Sequence, residues 1–263
     1  VLRDITIGQY IPGESALHKL DPRTKLIAVV LYMVGLFMAN NWQGYLFVTL
    51  VTLGILFLSQ IPLLIILRGI KPLMIIITLT VGLHIFLTKG GVLLWEWGIF
   101  HIYENGLRQG IFMALRLVYL VVITSLLTLT TTPIVLTDGL ERILRALFVP
   151  IAHELAMIMT IAIRFIPTLI EETDKIMKAQ MARGADFDTG GLLQRAKSLI
   201  PLLVPLFLNS FRRADDLALA MEARCYRGGE KRTRMRQLAM GGRDILAFVT
   251  IGLFMLISIL MRS

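Results

Sequence analysis

Apolar residues in this chain come in long blocks rather than at alternating positions. Leu26–Ala39, Tyr45–Leu58, Leu73–Leu87, Gly106–Leu129 and Ile245–Met261 are apolar nearly throughout, and short polar or proline-bearing breaks separate most of them. The hydrocarbon core of a bilayer takes roughly 20 apolar residues of helix, with about 17 to 25 the usual range. The blocks therefore predict five membrane-spanning helices. Leu26–Ala39 reaches across if Lys25 snorkels to one interface and Asn40-Asn41-Trp42 lie at the other. Tyr45–Leu58 has room to extend until Pro62 breaks it. Gly106 and Gly110, four positions apart, fit a close helix–helix contact.

Between the fourth and fifth blocks the pattern changes. Residues 131–243 are too many for a structureless connector and too apolar for disorder. Thr132-Pro133 opens a helix, since proline is tolerated in a first turn. Leu136, Leu140, Ile143-Leu144 and Leu147 follow at helical spacing, and Pro150 closes it. Ile151–Ile170 is apolar yet carries His153, Glu154, Arg164 and Pro167. Those charges predict a long helix at or near the membrane surface rather than a sixth span. It runs on into Glu171–Arg183, where Ile170, Thr173, Met177 and Met181 form a stripe opposite Glu171, Glu172, Asp174, Lys175 and Lys178. Gly184 is a helix stop.

The polar turn Ala185–Gly191 leads to Leu192–Leu208, broken by Pro201 and Pro205. Asn209–Cys225 then repeats the amphipathic pattern, with Phe211, Ala214, Leu217-Ala218, Met221 and Cys225 against Arg212, Arg213, Asp215, Asp216 and Glu222. The expected fold is all-α: a multipass transmembrane protein of about five spans plus a cytoplasmic module of long coupling helices. Its parts are residues 1–130 with four spans, 131–243 as the coupling module, and 244–263 as the last transmembrane helix.

Charge sharpens this picture. Only 17% of the 263 residues are charged, where a soluble domain carries about 25%. The net charge of +9 raises nucleic acid as a partner. Placement argues against it: 17 of the 27 Lys and Arg fall in Thr131–Arg243, interleaved with 12 of the 18 acids. No phosphate-tracking stripe with aromatics forms. The basic run Tyr226–Arg236 reads as an anchor beside anionic lipid headgroups. Arg3, Lys19, Arg23 and Lys25 precede the first span, and Arg68 and Lys71 lie between the second and third. The opposite side has only Lys89, Arg108 and Arg262. This bias places the amino terminus and residues 131–243 in the cytoplasm.

The candidate site is a repeated ending. Met181-Ala182-Arg183-Gly184 and Glu222-Ala223-Arg224-Cys225 close the two amphipathic segments, with the arginines 41 positions apart. An arginine in a last helical turn is favoured by the dipole and projects a rigid fork toward carboxylates or carbonyls. One such ending is ordinary. Two, on paired helices, point to equivalent docking points for a two-lobed soluble partner. Ala182, Arg183, Gly184, Ala223, Arg224 and Cys225 are the candidate contacts, and the energy source belongs to the partner.

Chemistry within the chain finds little support. Gly191-Leu-Leu-Gln-Arg-Ala-Lys197-Ser198 approaches a nucleotide-binding loop, but Ala196 replaces a required glycine and no hydrophobic strand precedes it. His153-Glu154 lacks the second histidine of a zinc protease, because position 157 is Met157. With four scattered histidines, no metal or cofactor is expected in this chain. The single cysteine, Cys225, leaves no intramolecular disulfide. His84 and Arg116 lie within spans, where ionisable groups are functional suspects or paired packing residues. A self-contained secondary transporter or channel is the alternative function. Missing midplane acids and the absence of visible inverted repeats speak against it.

Taken with these endings, Gly8-Gln-Tyr-Ile-Pro-Gly13, Leu17-His-Lys-Leu-Asp-Pro-Arg-Thr-Lys25 and Met221-Glu-Ala-Arg-Cys-Tyr-Arg-Gly-Gly229 resemble the T component of energy-coupling factor (ECF) transporters. The resemblance covers essentially the whole chain. It implies a non-catalytic scaffold and coupling subunit of an ABC-type uptake system in the bacterial cell membrane. Such a scaffold joins two cytoplasmic ABC-type ATPases, which bind ATP and Mg, to a membrane-embedded substrate-binding S component.

The family's two Ala-Arg-Gly-type motifs end helices that sit in grooves on the ATPases. Here they fall on Ala182, Arg183, Gly184 and on Ala223, Arg224, Cys225, the last departing from the usual glycine. By the same resemblance, ATP-driven changes in ATPase spacing pass through the coupling helices to the S component. That component tips within the membrane and releases a vitamin or micronutrient. The apolar helices 133–170 and 192–208 are its sliding platform, with Met157, Met159, Met177, Met181 and Met221 as adaptable contact area.

Overall fold

The computed structural model describes residues 10–97, 100–185, 187, 191, 197–228 and 238–261. They divide into two compact units, one built from Gly8–Gly139 and Gln237–Ser263, the other from Leu140–Arg236. The second is thus an insertion in the first.

In the first unit, α1 (Pro22–Met38) starts where Asp21 Oδ1 accepts the Arg23 N–H at 3.0 Å, with Pro22 in the first turn. α2 (Trp42–Ser59) ends at Gln60, which takes the left-handed conformation at φ 54°. α3 (Leu63–Ile70) passes through one 3₁₀ turn, Lys71–Leu73, into α4 (Met74–Leu87). Pro72 lacks the N–H that an α-turn needs, so the chain tightens there without breaking. α5 (Glu104–Thr130) and α9 (Gly242–Leu260) complete the bundle.

Two sets of side chains hold it. Tyr32 stacks on Phe254 at 5.3 Å and Tyr45 on Phe112 at 4.4 Å, among buried Leu36, Val48 and Ile123. Ile61, Ile66, Ile70, Ile77, Val122, Leu126 and Leu129 form the other. Gly106 and Gly110 lie against α4, as their spacing predicted. A Cβ at Gly106 would sit 2.9 Å from the His84 carbonyl oxygen, so only glycine permits this approach. Outward faces are greasy: Phe57 is 86% exposed and Ile75 78%. Apolar cover on that scale suits hydrocarbon as the solvent, not water.

Three features depart from expectation. Between α4 and α5 lies a hairpin, β1 (Leu93–Trp97) with β2 (Phe100–Tyr103), antiparallel and bulged between Leu93 and Trp95. Lys25 is not extended toward the interface. It is buried, its Nζ donating to the Thr130 carbonyl at 3.0 Å and to Thr131 Oγ1 at 2.9 Å. The last carbonyls of α5 have no intrahelical donors, and the ammonium supplies one.

The set of helices able to span also differs. By length and apolarity they are Trp42–Ser59, Leu63–Leu87, Glu104–Thr130, Ala152–Ala182 and Gly242–Leu260. The helix expected to lie on the membrane surface thus meets the requirement, while α1, at 17 residues, falls at its lower edge. The Asp21 N–H donates to Asp244 Oδ1 at 2.8 Å, and Asp244 Oδ2 accepts from the Gly241 N–H at 2.8 Å, so one carboxylate joins the starts of α1 and α9.

In the inserted unit the long helices are α7 (Ala152–Ala182) and α8 (Ile200–Ala223), reached through α6 (Pro133–Ala146). Both run on through an internal proline, Pro167 and Pro205. Leu192–Leu208 and Asn209–Cys225, read as separate segments, are joined from Ile200 onward. The missing N–H of Pro205 leaves the Pro201 carbonyl without its helical donor. Gln180 Nε2 of α7 fills that place at 3.3 Å.

Candidate functional site: two left-handed helix tips

Ala182-Arg183-Gly184 and Ala223-Arg224-Cys225 adopt the same geometry. In α7, Arg183 is the last half-helical residue and Gly184 is left-handed at φ 88°. The Gly184 N–H reaches the Met181 carbonyl at 2.9 Å, and the Ala185 N–H reaches Gln180 at 3.0 Å. In α8, Arg224 takes the half-helical place and Cys225 is left-handed at φ 55°. The Cys225 N–H meets the Glu222 carbonyl at 2.8 Å, and the Tyr226 N–H meets Met221 at 3.0 Å. These paired bonds satisfy orphan carbonyls and end both helices abruptly. Cys225 therefore performs the glycine's terminating role, at a cost of about 1–2 kcal/mol for a residue with a Cβ.

The arginines are exposed, as are Ala182, Gly184, Ala223 and Cys225. Each guanidinium sits at the negative end of a helix dipole. The two helices run antiparallel, as three contacts show. Glu172 accepts from Arg213 Nη2 and from Asn209 Nδ2, each at 2.9 Å. Gln180 meets Pro201, and His153 meets Tyr226. Arg183 thus stands beside the first turn of α8, whereas Arg224 stands at its far end. At about 1.5 Å per residue, the span from Pro201 to Arg224 puts the tips on the order of 35 Å apart. The sequence located both tips but not the Glu172, Arg213 and Asn209 clasp that holds their helices. Glu172 and Arg213 read as members of a solvated polar face, and Asn209 as the start of a segment.

The intramembrane suspects have partners. Arg116 Nη2 donates to the Ala39 carbonyl at 3.4 Å, and its guanidinium lies 4.9 Å from the Phe37 ring centre. His84 Nδ1 lies 3.4 Å from Thr88 Oγ1. The Gly191–Ser198 segment and the basic run Tyr226–Arg236 fall largely outside the described residues, as do Gly8 and Gln9.

Helices long and apolar enough to cross a membrane, with greasy outward faces, define the class as a multipass membrane protein. The comparisons with known proteins agree. The family model CbiQ, described as cobalt transport protein, matches residues 13–235, and the chain belongs to that family.

It is 59% identical to the energy-coupling factor transporter transmembrane protein EcfT of Thermosediminibacter oceani, over 99% of both chains. The protein of the same description from Clostridium kluyveri is 53% identical, covering 100% of this chain and 98% of the relative. That of Bacillus subtilis is 49% identical, covering 95% and 96%. The chain is accordingly a transmembrane component of an ECF transporter, as its sequence resemblance implied.

Proposed function

We propose that this chain is the coupling scaffold of an uptake system, with Arg183 and Arg224 entering grooves on two cytoplasmic ABC-type ATPases. The observation that carries the reading is the matched pair of caps. Two helices end in the same hydrogen-bonding geometry, each presenting an exposed arginine flanked by small residues. A separation on the order of 35 Å along α8 suits two lobes of a dimer, not one binding pocket. ATP and Mg belong to those partners. Their change of spacing moves the two tips, and the clasped helices pass the movement to a membrane-embedded S component carrying a vitamin or micronutrient. The bias of Lys and Arg puts the amino terminus and the tips on the cytoplasmic side of the bacterial cell membrane.

Replacing Arg183→Glu together with Arg224→Glu reverses both charges while leaving the apolar blocks intact. Loss of ATPase co-purification and of uptake, with insertion preserved, is the expected result. Normal uptake by the double variant sinks the reading. Transport by the purified chain alone in liposomes under an ion gradient would favour a self-contained carrier. The pairing of Arg116 with the Ala39 carbonyl lends that alternative no support.

A further inference from the structure

The two tips share a backbone geometry but not their surroundings. A Cβ added at Gly184 would meet nothing within 4 Å. At the other tip, the residue that closes the cap is Tyr226, through its N–H to the Met221 carbonyl. Its hydroxyl lies 3.2 Å from His153 Nε2, at the start of α7. His153 Nδ1 lies in turn 3.2 Å from Glu141 Oε1, on α6, and Glu141 is 5% exposed. A buried carboxylate is costly unless it accepts hydrogen bonds, so this contact is not incidental. It also orients the ring. With Nδ1–H donating to the carboxylate, Nε2 keeps its lone pair for the tyrosine O–H.

We infer that Glu141, His153 and Tyr226 are positioning residues that hold the Arg224 tip in one pose through the residue that closes its cap, whereas the Arg183 tip is tied to its neighbour from inside its last turn, by Gln180 Nε2 on the Pro201 carbonyl. The departure from glycine at Cys225 fits this division. A left-handed residue with a Cβ favours fraying of the cap, and the tether from Tyr226 to two other helices opposes it. Gly184 adopts its left-handed conformation without that penalty. One docking point is braced at the residue that closes its cap, and the other one turn back along its helix. The assignment of a docking role rests on the function proposed above; the positioning itself does not.

The test uses the chain's one cysteine. A nitroxide is attached to Cys225 of the full chain in lipid nanodiscs, without ATPases, and its rotational mobility is read by electron paramagnetic resonance. Tyr226→Phe removes a single oxygen, and His153→Phe removes both hydrogen bonds of the ring. Each is expected to raise mobility at Cys225 several-fold on the nanosecond scale. His153→Gln can donate to Glu141 and accept from Tyr226, and is expected to restore order. The same label at Ala185→Cys, in a Cys225→Ser background, is expected not to respond. Unchanged mobility at Cys225, an equal rise at both tips, or failure of the glutamine variant to restore order overturns the inference. Because no ATPase is present, such a failure is distinct from uptake surviving the double arginine reversal, which sinks only the docking function.

Discussion

The tips at Gly184 and Cys225 are the same hydrogen-bonded structure made with two different residues. At Gly184 the left-handed backbone is free of strain, and the space around it is open. At Cys225 a residue with a Cβ is held in the same region, and the neighbouring tyrosine reaches back to α7. A helix end can thus be secured by choosing an unstrained residue or by bracing a strained one. Only the Cys225 end is braced through the residue that closes its cap.

The comparison can be broken most severely at Gly184. Gly184→Val puts a β-branched residue at φ 88°, at a cost of about 2 kcal/mol. Amide hydrogen exchange of the last turn of α7 is expected to accelerate roughly thirty-fold, with the α8 tip unaffected. Exchange unchanged at Met181–Gly184 would show that the cap does not govern that end.

A smaller effect is expected from Glu172→Leu, which removes the carboxylate shared by Arg213 and Asn209. The clasp is partly exposed, so about 1–2 kcal/mol is expected. The expected readout is a lower unfolding temperature in nanodiscs and faster exchange in both helices together. Faster exchange in only one of them would contradict the clasp. The smallest change is Cys225→Gly. Relief of the left-handed strain, partly offset by the greater unfolded-state freedom of glycine, is expected to stabilise the α8 cap by at most about 1 kcal/mol. A loss of stability there would mean that the thiol makes a contact of its own.

What could be read from the sequence was local. Blocks of apolar residues announced four of the five helices able to span, all but Ala152–Ala182, and the endings at Arg183 and Arg224 announced the tips, because hydrophobic runs and caps are encoded by neighbours in the chain. Glu172 carries no mark of its partners 37 and 41 positions later. The same holds for Lys25, whose acceptors lie 105 and 106 positions away. A lysine beside an apolar block reads as an interfacial anchor, and only the end of α5 turns it inward. Pro205 was read as a break for a similar reason: its vacated carbonyl finds a donor in another helix. The hairpin at Leu93–Tyr103 was missed because its strands are five and four residues long, too short to separate from a loop.

The bond from the Asp21 amide to Asp244 crosses 223 positions of sequence. It joins the beginning of the spanning bundle to a helix made only after the whole inserted unit. During synthesis the bundle cannot close when α5 has emerged; it waits, with the core face of Tyr32 uncovered, until Phe254 arrives. The inserted unit is therefore made before the bundle it interrupts can close, and a ribosome stalled short of the last helix leaves a finished insertion in an open frame.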